Sequence, residues 1–365
     1  MPARGARPVS SRADRLLAPL ASAGADALLV TNLFNVRYLT GFTGSNAMAV
    51  IGPDIRLFAT DFRYVEQAAQ EVDPSFDRLP ASPDLLEAIT GALPEKELRL
   101  GFEEGHVTVR EHARLREKLP ERVELVGLHG RVEELRAVKT PAEVVAIQAA
   151  SALADDAFEQ FVSQGLVGRT ERELALALEY EMRRRGAEHP SFDPIVAAGP
   201  HGALPHARPR DVEVPQGQLV VIDWGAQLDG YCSDCTRTVA AGSVSRHGTE
   251  IYQLVLEAQL AGLQAVAAGE TGRDVDAVAR QIIDAAGHGP HFGHGLGHGV
   301  GLEVHEEPRL GQRSESVLEA GNVVTVEPGV YLPGELGVRI EDLVVVSDNG
   351  CKILTRLPKE LTVTD

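Results

Sequence analysis

Gln218-Leu-Val-Val-Ile-Asp-Trp-Gly-Ala-Gln-Leu-Asp-Gly-Tyr-Cys-Ser-Asp-Cys-Thr-Arg-Thr-Val-Ala-Ala241 reads as two apolar, β-branched runs folded back on each other, a β-hairpin. A four-residue loop over Gln227 to Gly230 pairs Ala226 with Tyr231 and sets Asp223 and Asp234, 11 residues apart, directly opposite each other on one face of the sheet. Two carboxylates that close repel, so one holds a proton or a cation sits between them; a metal is the economical answer. A second hairpin over Asn322 to Ser347 repeats the device. Glu327, in Thr325-Val-Glu-Pro-Gly, and Glu341, in Val338-Arg-Ile-Glu-Asp, are 14 apart, which centres the turn on Gly334 and turns both carboxylates toward each other. Between the hairpins runs the glycine-rich stretch His291-Phe-Gly-His-Gly-Leu-Gly-His-Gly-Val-Gly-Leu-Glu-Val-His-Glu306, in which His298 can add an imidazole. Four carboxylates and one histidine make a hard, oxygen-rich set with enough charge for two divalent ions about 3.5 Å apart, which would hold a hydroxide between them at neutral pH.

Working outward, each hairpin is preceded by two helical segments. Leu135-Arg-Ala-Val-Lys-Thr-Pro-Ala-Glu143 marks a boundary: Thr140 can cap, Pro141 takes the first helical position and Glu143 can reach back to the cap amide. The spacing predicts a helix from about Pro141 to Val162, another opened by Thr170 and Glu173, then the first hairpin. It then predicts a helix from about Thr249 to Ala268, another opened by Thr271 and Asp274, then the second hairpin. Helix, helix, hairpin, written twice, implies a pseudo-symmetric α+β domain over 135–365 with a site between its halves. Before it, residues 1–130 alternate helix and strand signals as one α/β domain. Its helices are expected at Ala13–Ala23, Asp84–Leu93 and Val109–Leu119, and its strands at Ala27–Thr31, Met48–Ile51, Arg56–Ala59, Leu98–Phe102 and Val123–Leu125.

Composition fits this reading. The 365 residues are 44% hydrophobic and 24% charged, an ordinary globular balance that excludes disorder, collagen and coiled coil. A net charge of −18 repels phosphate backbones and anionic membrane surfaces, so neither nucleic acid nor membrane is an expected partner. Three cysteines cannot form a disulfide framework, which fits the cytoplasm. Cys232 and Cys235 have the C-x-x-C spacing of metal and redox sites, yet positions three apart on a strand face opposite ways, so both are read as packing residues. Arg4, Arg7, Arg12 and Arg15 mark a solvated arm leading into a helix, with a short organelle presequence as the alternative. No run reaches the ~18 apolar residues of a membrane helix.

With these residues in hand, the chain resembles the proline-specific metallopeptidases, Xaa-Pro aminopeptidase (aminopeptidase P) and Xaa-Pro dipeptidase (prolidase). The run His294-Gly-Leu-Gly-His-Gly-Val-Gly-Leu-Glu-Val-His-Glu306 matches the signature of that family, and Asp223, Asp234, His298, Glu327 and Glu341 occupy its five metal-ligand positions. The resemblance implies a creatinase-like N-terminal domain over 1–130 and a "pita-bread" catalytic domain over 135–365. It implies two divalent ions per chain, manganese first, with cobalt or zinc as alternatives. By the same analogy Asp223 chelates one ion, His298 and Glu327 the other, and Asp234 and Glu341 bridge both.

The resemblance also implies that a metal-bridging hydroxide attacks the Xaa-Pro carbonyl and that Glu327 shuttles its proton to the proline nitrogen. His206, in Leu204-Pro-His-Ala-Arg-Pro, would donate to the oxyanion, His305 would contact the scissile peptide, His294 would shape the proline pocket, and Arg339 would brace the bridging carboxylates. His201 and His291 receive no role, and Trp224 is read as core or pocket wall. Asp61-Phe-Arg-Tyr64 is read as structural, with a substrate role through the partner subunit of an implied homodimer as the alternative. Asn35-Val-Arg-Tyr-Leu-Thr-Gly-Phe-Thr-Gly-Ser45 looks like the N-terminal domains of bacterial aminopeptidases, so aminopeptidase P, acting on proline-containing peptides, is the favoured reading and prolidase the alternative. Creatinase and the non-catalytic binding modules on this fold are disfavoured because all five ligands are intact, and methionine aminopeptidase because it usually lacks so large an N-terminal domain.

Overall fold

A computed structural model describes residues 11–364, and the chain divides into one unit that ends at Arg136 and another that begins at Ala137. The arm expected around Arg4 and Arg7 lies outside the described residues. In the first unit the helices are α1 (Arg12–Ser22), α2 (Leu33–Thr40), α3 (Val65–Glu71), α4 (Leu85–Ala92), α5 (Val109–Lys118) and α6 (Arg131–Ala137), the last running one residue past the division. Its strands are β1 (Ala27–Val30), β2 (Ala47–Gly52), β3 (Ile55–Thr60), β4 (Asp77–Arg78), β5 (Leu98–Glu103) and β6 (Val123–Leu128). They form one mixed sheet in the order β4-β3-β2-β1-β5-β6, with β1, β5 and β6 parallel and β2 antiparallel to both β1 and β3. Leu29, Val50, Ala59 and Leu100 from the sheet pack with Leu86 and Ile89 of α4 and Leu115 of α5. Asp61 caps the short turn over Phe62–Tyr64 and is chelated by the Arg63 guanidinium at 2.8 and 2.9 Å.

The second unit holds α7 (Pro141–Val162), α8 (Glu171–Arg184), α9 (Arg246–Ala265) and α10 (Gly272–Ala285). Thr140 and Glu143 cap each other reciprocally at the start of α7, as do Thr170 and Glu173 at α8, while Thr271 accepts from the Asp274 amide at α10. Each cap satisfies backbone donors that the helix itself leaves free, contributing ~1 kcal/mol. The α9 helix starts three residues before Thr249, because Ser245 accepts from the Gly248 amide and becomes the cap.

The strands of this unit are β7 (His189–Pro190), β8 (Ile195–Ala198), β9 (Gln218–Trp224), β10 (Ala226–Leu228), β11 (Tyr231–Cys232), β12 (Cys235–Ala241), β13 (Gly297–Gly299), β14 (Glu306–Leu310), β15 (Val323–Val326), β16 (Gly329–Leu332), β17 (Leu336–Arg339), β18 (Asp342–Ser347), β19 (Gly350–Ile353) and β20 (Val363–Thr364). One sheet runs β20-β12-β9-β8 and another β14-β13-β15-β18-β19, with β11-β10-β7 and the ribbon β16-β17 as extensions. The pseudo-symmetry extends to the helix starts. The first two amides of α8 donate to the carbonyls of Val212 and Arg210, and those of α10 to Ser316 and Ser314.

The first hairpin departs from its predicted register. Leu228 pairs with Tyr231 across a two-residue Asp229-Gly230 turn, both residues at positive φ (48° and 75°), the tight turn that matches strand twist. Asp223 therefore opposes Thr236, and Asp234 lies on the diagonal rather than directly across. A slip of two residues preserves the face, so both aspartates still point the same way. In the second hairpin the pairs Val326 with Asp342 and Gly329 with Arg339 share one register, centred on Gly334 and leaving Glu327 opposite Glu341.

Cores form on both halves: Phe158, Phe161, Leu174 and Leu178 against β9 and β12, and Ile251, Val255, Ala279 and Ile283 against β15 to β18. Trp224 is core. Its ring stacks on Phe158 at 4.0 Å and its Nε1 donates to the Ala154 carbonyl at 3.0 Å. Cys235 packs in that same cluster, whereas Cys232 packs with Ile147, Val300 and Leu343, and burial pushes the Cys232 thiol up to about 11. Opposite sides and inert thiols rule out a shared metal.

Candidate metal centre

Hairpin geometry delivers the carboxylates. Asp223 sits near the end of β9, Asp234 in the break between β11 and β12, Glu327 just past β15 and Glu341 just before β18, while His298 lies in β13. The break at Asp234 follows from Gly225, where any Cβ would collide with the Ser233 carbonyl, so the strands can cross closely only at glycine. His298 Nε2 lies 3.5 Å from Asp234 Oδ2 and 3.3 Å from Glu327 Oε1, and one ligand atom each from Asp234, His298 and Glu341 fall within 4.8 Å of one another. His298 Nδ1 is 3.0 Å from the Gly299 carbonyl, which takes its N–H and leaves the Nε2 lone pair facing the carboxylates.

Around these five, Arg339 gathers the shell. It donates to Asp223 Oδ2 at 2.6 Å, to Thr236 Oγ1 at 3.0 Å, to Tyr331 Oη at 2.9 Å and to the Pro205 carbonyl at 3.2 Å. The Thr236 hydroxyl in turn donates to Glu341 Oε2 at 2.7 Å. Arg339, expected to brace Asp234 and Glu341, therefore meets Asp223 directly and Glu341 through Thr236. Thr325 accepts from the His298 amide and donates to Glu327 Oε1, both at 3.1 Å.

Electrostatically the cluster lacks positive charge. Burial and the neighbouring carboxylates push Asp234 and Glu341 well above the usual carboxylate range, and burial raises Asp223 despite Arg339. Asp223 Oδ1 is buried without a hydrogen-bond partner. An orphan oxygen among three carboxylates that resist ionisation, Asp223, Asp234 and Glu341, fits divalent cations, which would supply the missing charge and ligate that atom. Hard oxygens with one imidazole suit such ions.

The cluster forms the floor of a cavity of about 910 Å³, within the second unit, whose walls include Phe192, Pro205, His206, His294, His305 and Arg309. His206 projects from the segment after β8. The His305 ring meets His298 edge-on, centroids 4.4 Å apart. His294 is held by the Gly295 carbonyl on Nδ1 and the Tyr331 hydroxyl on Nε2, at 2.8 and 2.9 Å. With Nδ1 donating and Nε2 accepting the tyrosine proton, its ring is neutral, and burial lowers its basicity in the same direction. His201 and His291 lie outside this wall. The sequence reading missed Thr236, Thr325, Tyr331 and Arg309. Thr236 follows from the corrected hairpin register, and Arg309 from pairing with His298 across β13 and β14; nothing local marks the other two.

Residues 145–348 match Metallopeptidase family M24, and residues 12–138 match the Creatinase/Prolidase N-terminal domain. The chain belongs to metallopeptidase family M24. The metallopeptidase is 36% identical over 355 residues to an Xaa-Pro dipeptidase of Pyrococcus furiosus, covering 97% of this chain and 100% of the relative. Among solved structures it superposes on an Xaa-Pro dipeptidase from Bacillus anthracis with a TM-score of 0.93 and 41% identity, over 96% of this chain and 99% of the other. An X-Pro aminopeptidase from Thermotoga maritima gives 0.88 and 39%, over 97% and 100%. The fold is accordingly a creatinase-type N-terminal domain followed by a pita-bread catalytic domain.

Proposed function

We propose that this metallopeptidase is an Xaa-Pro dipeptidase, hydrolysing the bond before a C-terminal proline. The observation that carries this over the aminopeptidase reading is Arg309, whose backbone pairs with His298 across β13 and β14 and whose side chain lines the cavity. Its one ion-pair contact among the described residues is a 3.8 Å approach to Glu307, which leaves guanidinium donors for the free carboxylate of a proline lying next to the metal cluster. The dipeptidases among its relatives support the same choice.

Asp223, Asp234, His298, Glu327 and Glu341 would hold two divalent ions, manganese first among the candidates. Bound there, the ions supply Lewis acidity and a water-derived nucleophile at neutral pH. Everything else falls to side chains. Glu327 takes the proton of the attacking water and returns it to the proline nitrogen, which as a tertiary amide carries none of its own. His206 donates to the carbonyl oxygen as negative charge develops there. His305 contacts the scissile peptide, and neutral His294 offers an apolar ring face to the proline. Arg339 keeps Asp223 aimed inward. The three free cysteines agree with a reducing compartment such as the cytoplasm. No helix among the described residues is long and apolar enough to cross a membrane.

The test uses manganese-loaded protein with Xaa-Pro, Xaa-Pro-amide and Xaa-Pro-Yaa-Zaa peptides, and a chelated control. Turnover of the dipeptide alone is expected, with Arg309→Ala raising KM. Cleavage of the longer peptides at their first bond at a comparable rate would make the chain an aminopeptidase instead.

A further inference from the structure

Glu171, the first residue of α8, does not line the cavity, yet its carboxylate is the most heavily used acceptor near it. The side chain is 1% exposed. Oε1 accepts from the Ala198 amide and from Arg210 Nη2, each at 3.0 Å, and Oε2 from the Arg210 amide and Nε, again at 3.0 Å; His201 Nδ1 lies 2.9 and 3.0 Å from the two oxygens. Ala198 ends β8 and Arg210 closes the excursion that follows, so one carboxylate ties together both ends of the segment carrying His206. Along its length that segment has further anchors, among them the buried Ala207, which packs with Ile195 and Ala197. The Pro205 carbonyl accepts from Arg339, and the Gly202 carbonyl packs so closely on Gly337 that a Cβ there would collide with it. No side-chain hydrogen bond among the described residues holds the exposed His206 ring itself, so its position is set by this backbone path.

We propose that Glu171 is the positioning residue for His206, with His201 and Arg210 as the other parts of the same clasp. The inference rests on the peptidase reading and adds to it a group 35 residues upstream in sequence. All five partners are donors, and only a carboxylate presents acceptors to all of them. Glu171→Gln replaces one acceptor oxygen by an N–H₂ that faces donors, which must release one end of the segment. The loss of rate is bounded by what His206 contributes, on the order of 10²- to 10³-fold for one donor to a developing oxyanion.

The experiment is a double-mutant cycle on the metal-loaded full chain, with Xaa-Pro as substrate and elemental analysis of each variant. Glu171→Gln is expected to lower kcat/KM by about 10- to 100-fold in the wild-type background and by less than about 2-fold in His206→Ala, with metal content unchanged. Hydrogen exchange across 199–210 should accelerate in Glu171→Gln while that of α10 stays as in wild type. Should Glu171→Gln fail to fold, Arg210→Ala, whose side chain is half exposed, takes its place in the same cycle with a smaller drop. Equal losses in both backgrounds, unchanged exchange over the segment, or full activity of His206→Ala would each overturn the positioning role. An inactive wild-type protein would instead overturn the peptidase reading.

Discussion

Asp155 offers a direct test of how the second unit stores electrostatic free energy. It lies on α7, almost fully buried; its Oδ2 accepts from the Arg356 amide at 2.8 Å, and its Oδ1 is buried with no partner. Burial pushes its carboxyl up to about 6, outweighing the Arg356 amide and the charges of Arg237 and Arg356. A folded-state value above the unfolded 3.8 means that folding opposes ionisation. Its contribution to stability is therefore greatest below about pH 4, declines as pH rises through about 6 and is constant above. A difference of about two units corresponds to roughly 3 kcal/mol at pH 7. Asp155→Asn removes that penalty and keeps an oxygen for the Arg356 amide, while its new N–H₂ lies where Oδ1 has no partner, costing about 1 kcal/mol. The net gain is about 1–2 kcal/mol, or about 3–6 °C in Tm for a unit of this size. Thermal unfolding of both proteins at pH 4 and pH 7.5 measures it. The variant should be the more stable at pH 7.5 and no better at pH 4; a destabilised variant at pH 7.5, or one gain of equal size at both values, would refute the reasoning.

The other expectations concern the centre itself. Asp234→Ala or Glu341→Ala should abolish both metal retention and turnover, and full activity of either variant would sink the two-ion arrangement. Arg339→Ala should slow turnover by roughly 10- to 100-fold with both ions still bound, since its role is to orient Asp223 rather than to ligate; kinetics and elemental analysis of the same sample separate the two. Arg309→Ala should raise KM for Xaa-Pro far more than it lowers kcat, while the amide-blocked peptide stays uncleaved by both proteins.

The second hairpin was legible because its spacing is symmetric about Gly334, and the starts of α7 and α8 because a Thr and a Glu three positions on satisfy each other's amides. The first hairpin was misread by two residues. Asp229-Gly230 is a complete turn on its own, whereas a four-residue loop is the looser choice when the local φ values are not known. The α2 helix escaped because it is largely buried, with Asn35, Val36, Tyr38, Leu39 and Thr40 all covered, so it shows no polar face for periodicity to find. Short α3 and α6, seven residues each, leave too little pattern. Glu171 was hidden for a different reason: beside Thr170 it reads as ordinary first-turn acidity, and only the return of residues 198–210 over α8 gives its carboxylate five donors.

That contrast shows a division of labour between strands and helices in the catalytic unit. Four carboxylates come from hairpin arms, where register fixes their separations without further support, which suits residues that would share two ions about 3.5 Å apart. Two of the histidines at the cavity wall, His206 and His294, come from irregular segments, and a buried helix carboxylate holds each of those segments. Glu171 on α8 holds both ends of the path to His206. On α10, Asp276 accepts from the Leu296 amide and from Arg280, and Arg280 donates to the carbonyls of Phe292 and His294, at 2.7–2.9 Å throughout. Each half thus pairs one hairpin with one helix-borne clasp. Such clasps offer little net stability for the charges they bury. Their effect is to give flexible, glycine-rich backbone one arrangement beside a rigid cluster of ligands, and placement within a fraction of an ångström is what proton transfer and oxyanion stabilisation require.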